Sequence, residues 1–132
     1  MVFGISFWWL ILALAAYMVV GALWYSPLLF AKQWLQALGK KRSDMPGNDP
    51  ALYLTPLFST LVLVVVLASL VSSLGAVGWT AGALLGFKLW LGFVATTALI
   101  NRVFQGGSMR LYIIDMGYHL VGFAVAGAIL AH

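Results

Sequence analysis

The sequence predicts an all-α integral membrane protein of four transmembrane helices, with a short interfacial amphipathic helix between helices one and two. Three observations predict it. Hydrophobic residues make up 64% of the chain and charged residues only 8%, against about a quarter charged in a soluble domain, so the chain cannot cover a water-facing surface. Four apolar segments each reach the roughly 20 residues needed to cross hydrocarbon. Almost all basic residues sit in loops on one side of those segments. A length of 132 residues leaves room for one transmembrane domain spanning the chain.

The first helix runs over about 5–25. It reads as a retained helix rather than a cleavable signal, because the apolar run Phe3–Leu23 is too long and no basic region precedes it. Ser26-Pro27 ends it, since proline removes a backbone donor and bends the chain. Residues 28–38 are amphipathic: Lys32, Gln33, Gln36 and Lys40 fall on one side, Phe30, Trp34, Leu35 and Leu38 on the other. That pattern suits a helix in the headgroup layer; the alternative is helix one continuing into water past a kink. Residues 39–49 form a polar cytoplasmic loop with Pro46 and Gly47 as turn residues.

The second helix covers about 51–73. Two starts compete, Asp49 as cap with Pro50 in the first turn, or Thr55 as cap with Pro56. The third covers about 79–104. The fourth covers about 109–131, with Ser108 as cap. Short turns at Gly75–Gly78 and Gly106-Gly107 predict consecutive helices that pack as antiparallel neighbours.

Lys32, Lys40, Lys41, Arg42, Arg102 and Arg110 all flank one membrane face. The positive-inside rule makes that face cytoplasmic and puts both termini on the periplasmic or extracellular side. Trp8, Trp9 and Trp79 then form an outer aromatic belt; Trp24, Tyr25, Trp34, Tyr53 and Tyr112 form an inner one. Because the basic residues lie where loops leave a membrane, the net charge of +4 speaks for lipid contact and not for nucleic acid.

Ionisable groups in hydrocarbon cost about 2.5–3.5 kcal/mol or more and mark functional positions. Lys88, Asp115 and His119 are the three here. Asp115 and His119 stand four residues apart, so they share a face of helix four, which Gly122 and Ala126 continue and Tyr118 and Tyr112 flank. Together they could hold or pass one proton. One reading is a proton relay or polar binding site; the other is a hydrogen-bonded clasp locking helix four to helix three. On helix three, Gly82, Gly86, Trp90, Phe93, Thr97 and Asn101 share a face by helical spacing, and Thr97 and Asn101 come level with Asp115. Gly82 and Gly86, with Gly78, let another backbone approach closely, more often within one chain than between two. Lys88 lies on the opposite side with Gly92, Ala95 and Leu99, where its stem can stretch toward the outer headgroups; the alternatives are a partner or cavity in an oligomer, or a counter-ion to a substrate.

Other chemistries fail on residue supply. With no cysteine and no glutamate, Asp115 and His119 lack a third ligand, so no metal site is expected. No catalytic set and no cofactor motif is present, which weighs against an enzyme. An acid–base pair working on a lipid or quinone is the form of enzyme the residues best allow.

Gly21–Phe30 (GALWYSPLLF), Gly86–Asn101 (GFKLWLGFVATTALIN) and Leu111–Gly122 (LYIIDMGYHLVG) resemble three motifs of a bacterial membrane protein family, domain of unknown function 1761. The resemblance covers about 21–130. Its distinctive elements are Trp24-Tyr25-Ser26-Pro27 and the Asp115/His119 pair; Lys88 falls outside the pattern. It implies a small bacterial inner-membrane protein and supplies no activity. The residues then favour an oligomeric transport, permeation or small-ligand-binding protein that uses the polar face of helix four. Four short helices rarely enclose a pathway alone, so the transport version requires a homo-oligomer. The alternative is a non-catalytic accessory or assembly subunit of a larger membrane complex.

Overall fold

The computed structural model describes residues 1–44 and 49–132, with Arg42 as backbone only. The turn expected at Pro46-Gly47 lies outside the described residues. In chain order the elements are α1 (Phe7–Trp24), α2 (Ala31–Leu38), a single 3-10 turn (Arg42–Asp44) and α3 (Ala51–Ser73). A third span follows, made of α4 (Trp79–Leu89), a π-helical stretch (Trp90–Ala95) and α5 (Thr96–Gln105); α6 (Met109–Ala131) closes the bundle. Four helices are long and apolar enough to cross a membrane: α1, α3, the third span over Trp79–Gln105, and α6.

Local chemistry sets the helix ends. Past α1, the Ser26 hydroxyl donates to the Leu23 carbonyl at 2.6 Å and the Phe30 N–H donates to the Trp24 carbonyl at 3.0 Å. Those bonds satisfy last-turn carbonyls that no further helical N–H can reach. Of the two starts weighed for α3, the helix uses the earlier: the Ala51 N–H donates to Asp49 Oδ1 at 3.0 Å. Pro56 therefore sits inside the helix and leaves the Leu52 carbonyl without its helical donor. The third span stops at Gly106, whose φ of 72° is a left-handed conformation that glycine adopts without a Cβ clash. Ser108 caps α6 by accepting the Leu111 N–H at 3.4 Å.

The last span is the hub. It packs along α1, α3 and α4, and α2 leans on its first turns. Ala13, Tyr17, Val64, Leu67, Ala68 and Ala126 are closed off at the bundle centre. Along α4 the contact is backbone on backbone. A Cβ on Gly82 would strike the Gly127 carbonyl, and one on Gly86 the Phe123 carbonyl, so these glycines serve packing within one chain. The short turn before the third span does not make its two helices close neighbours. An apolar cleft of about 350 Å³, walled by Leu63, Leu67, Leu89 and Val94, separates α3 from the third span.

The two ends of the bundle differ. At one end the Gly78 N–H donates to the Ala131 carbonyl at 2.6 Å, and His132 stacks on Trp9 with ring centroids 3.6 Å apart. The other end carries α2, the 106–108 turn, and Lys32, Arg102 and Arg110. There Arg110 Nη2 donates to Gln36 Oε1 at 3.4 Å.

Candidate functional site between the first and last spans

Spacing on α1 places Tyr17, Gly21, Trp24 and Tyr25 on one stripe, at i, i+4, i+7 and i+8. Facing them on the antiparallel α6 are Gly122, Tyr118, Gly117 and Asp115. The two helices exchange rings for glycines. A Cβ on Gly122 would stand 2.6 Å from the Tyr17 ring, one on Gly21 would stand 2.9 Å from the Tyr118 hydroxyl, and one on Gly117 would stand 2.9 Å from the Trp24 indole. Each glycine is a socket for an aromatic side chain of the other helix.

That close fit brings polar groups together. The Tyr17 hydroxyl and His119 Nδ1 are hydrogen-bonded at 2.6 Å; an imidazole with its proton on Nε2 accepts there from the phenol. Tyr25 donates its hydroxyl to Asp115 Oδ1, also at 2.6 Å. Trp24 Nε1 donates to the Ile114 carbonyl at 2.8 Å. Tyr118 stands between the two tyrosines of α1, edge-on to each, at centroid distances of 5.4 and 5.6 Å, and its ring lies 4.5 Å from that of His119. Each ionisable group thus finds its own phenol. Among the described residues no salt bridge joins Asp115 to His119.

The expected partner helix is therefore corrected. Asp115 and His119 clasp α1 and not the third span. Thr97 and Asn101 are both exposed, and among the described residues neither bonds to Asp115 or His119. The reason is the π-helical stretch Trp90–Ala95. One wide turn there adds a residue and rotates everything after it. The buried face of the third span runs Gly82, Gly86, Trp90 and then Ala95, five residues on, so Phe93, Thr97 and Asn101 fall out of phase. Ala95, placed with Lys88 on the outer side by regular spacing, is buried instead. The π stretch is tied to α6 by two bonds: Trp90 Nε1 donates to the Met116 carbonyl at 2.9 Å, and the Tyr112 hydroxyl to the Ala95 carbonyl at 2.6 Å. Lys88 is exposed on α4, away from this seam.

The seam contributes side chains to two cavities. One, of about 430 Å³ and mostly apolar, lies between α1 and α3 and is lined by Met18, Tyr25, Leu52, Pro56 and Tyr118. The other, of about 270 Å³ and more polar, lies between α5 and α6 at the basic end and is lined by Asn101, Arg102, Gln105, Ser108, Tyr112 and Asp115. Tyr25 lines the first cavity and Asp115 the second, so their hydrogen bond links a wall of one to a wall of the other. Asp115 Oδ2 makes no hydrogen bond among the described residues. Asn101, misplaced as a partner of the clasp, does share this second cavity with Asp115.

Sequence reasoning missed Tyr17, Gly21, Trp24, Tyr25 and Gly117. Trp24, Tyr25 and Tyr112 read as belt residues, yet all three turn their polar ends into the bundle. The available signal was the pairing of Gly21 with flanking aromatics on α1 and of Gly117 and Gly122 with Tyr118 on α6. The three stretches carrying the family resemblance are the ones that meet here: 21–30 and 111–122 form the clasp, and 86–101 holds the π stretch. The family of proteins of unknown function DUF1761 matches residues 8–131 of the chain. This chain belongs to DUF1761. As a member of DUF1761 it brings no assigned activity with it. No curated protein and no solved structure matches the chain.

Among the described residues, no group of three His, Cys, Asp or Glu side chains comes together in a way that could hold a metal ion.

Proposed function

We propose that this DUF1761 member is a small polytopic membrane protein that binds a small polar ligand at the basic end of the bundle, with Asp115 as the fixed anionic group of the site. The observation that carries this reading is the Tyr25–Asp115 bond. It spends one carboxylate oxygen on the fold and leaves Oδ2 unspent on a residue that lines the polar cavity. An intramembrane carboxylate held rigid by one bond and unspent on the other oxygen is arranged for a ligand. A cavity of about 270 Å³ is slightly below the roughly 300–1,000 Å³ of sites that enclose drug-sized molecules, which suits a ligand of few heavy atoms.

Passage through one chain is disfavoured by the closed centre, where Tyr17 and Ala126 are 1% and 0% exposed. A transport role therefore assigns the route to a homo-oligomer, with the basic-end cavity as its entry. The basic end faces the cytoplasm of a bacterial inner membrane, with α2 lying in its headgroup layer.

The test pairs two measurements on protein in detergent and in liposomes. Melting temperature is followed against a panel of amino acids, polyamines and small phosphoesters, and flux of the same solutes and of protons is followed across the vesicle wall. At least one solute stabilises the wild type, as a ligand confined to the folded state must, and Asp115→Asn removes that stabilisation. A wild type that no solute stabilises, that retains no lipid headgroup selectively and that leaks no faster than empty liposomes overturns the reading, as does an Asp115→Asn variant that responds like the wild type.

A further inference from the structure

The basic-end cavity holds two opposite charges that do not neutralise each other. Arg102 and Asp115 both line it, yet among the described residues no salt bridge joins them. Arg102 is only partly committed. Its Nη1 donates to the Gly107 carbonyl, which pins the guanidinium under the 106–108 turn. Its Nε is buried with no hydrogen-bond partner, which is costly for a charged donor. Asp115, on the same lining, is held by Tyr25 through Oδ1, with Oδ2 unspent. The amides of Asn101 and Gln105 also line the cavity and make no side-chain hydrogen bond among the described residues.

Two fixed opposite charges, each short of a partner and set in one small cavity, are satisfied together by one kind of ligand. An anion alone would leave Asp115 unmatched and add repulsion; a cation alone would do the same at Arg102. We infer that the cavity takes a small zwitterion, a primary ammonium group joined by a short linker to a phosphate or carboxylate, with the anionic group on Arg102 and the ammonium on Asp115 Oδ2. The inference rests on the binding role proposed for this cavity and names its ligand class. Two sources carry this chemistry: the ethanolamine headgroup of a phospholipid, and a free solute such as phosphoethanolamine or an amino acid. An ammonium donates three hydrogen bonds and a trimethylated one none, so choline lipids match the charge without matching the site.

The full chain, purified in detergent, is offered equal amounts of phosphatidylethanolamine, phosphatidylcholine and phosphatidylglycerol, and retained lipid is counted by native mass spectrometry. In parallel, phosphoethanolamine, glycine, inorganic phosphate and ethylamine are titrated while the melting temperature is followed. If the lipid is the source, the ethanolamine lipid is retained about tenfold over the other two, the ratio expected for one charge-assisted hydrogen bond. If the source is a free solute, the two soluble zwitterions stabilise while phosphate and ethylamine do not. Either result supports the inference. Asp115→Asn, which keeps an acceptor for Tyr25, reduces the preference to about one. Arg102→Lys, which keeps the charge, preserves most of it.

Equal retention of the glycerol lipid, or stabilisation by phosphate alone, reduces the site to an anion site and overturns the zwitterion while the binding role stands. Stabilisation by ethylamine alone does the same from the other side. No retention and no stabilisation by any of these probes overturns the inference whichever way the variants behave; the binding role then rests on its own wider solute panel.

Discussion

The two long seams of α6 solve the same packing problem with opposite materials. Against α4 the seam is backbone on backbone: Gly82 lies on the Gly127 carbonyl and Gly86 on the Phe123 carbonyl, with no side-chain hydrogen bond between α4 and α6 among the described residues. Against α1 the seam is ring in socket, and it is crossed by hydrogen bonds from Tyr17, Trp24 and Tyr25. Lipid gives helices no hydrophobic reason to associate, so close packing and polar contacts must do it. The difference teaches that this chain separates the two means. The glycine seam fixes where α6 stands, and the aromatic seam then holds an aspartate and a histidine that lipid would reject.

The comparison can be broken at its stiffest point first. Gly82→Leu or Gly86→Leu puts a side chain into a carbonyl that cannot retreat, and destabilises by about 3 kcal/mol, the upper end for overpacking. Reversible unfolding in mixed micelles measures it, and a loss below about 1 kcal/mol would show that the glycine seam is not rigid. On the other seam Tyr17→Phe keeps the ring in the Gly122 socket and removes only the hydroxyl. It costs about 1–2 kcal/mol, because it leaves His119 Nδ1 unpartnered beside a side chain only 1% exposed. A double-mutant cycle on Tyr25→Phe and Asp115→Ala, each of which removes the bond, gives a smaller coupling, about 0.5–1.5 kcal/mol, since Asp115 borders a cavity that offers it other partners. Coupling near zero would detach the carboxylate from α1. Lys88→Met lies on neither seam and changes stability by less than about 0.5 kcal/mol.

Much of this was legible in the sequence, and its limits have physical causes. Four spans follow from apolar length alone. The shared face of Asp115 and His119 follows from a spacing of four in a regular helix. What spacing cannot show is which helix stands opposite, because every neighbouring helix is equally apolar. Proximity in sequence pointed to the third span, joined to α6 by a short turn, whereas the phenols come from α1, 90 and 102 residues away. The π stretch hid the rest. Counting in steps of 3.6 through Trp90–Ala95 puts Thr97 and Asn101 at the centre of the face toward α6, where Ala95 stands instead and Asn101 only borders the cavity it shares with Asp115; no proline or charge in that stretch warns of the extra residue. Tyr25 was visible but read as an interface anchor, a role its position allowed equally well, and Tyr17 was given no role.

The central claim is that α6 turns His119 to Tyr17 and not to the third span. With only two histidines in the chain, nitrogen NMR of the imidazoles tests it directly, and His132→Gln assigns the spectrum. The account predicts an Nδ1 resonance of His119 displaced by hydrogen bonding, which moves in Tyr17→Phe and stays in place in Thr97→Ala and Asn101→Ala. A resonance indifferent to Tyr17→Phe, or one that follows Thr97 or Asn101, would contradict it.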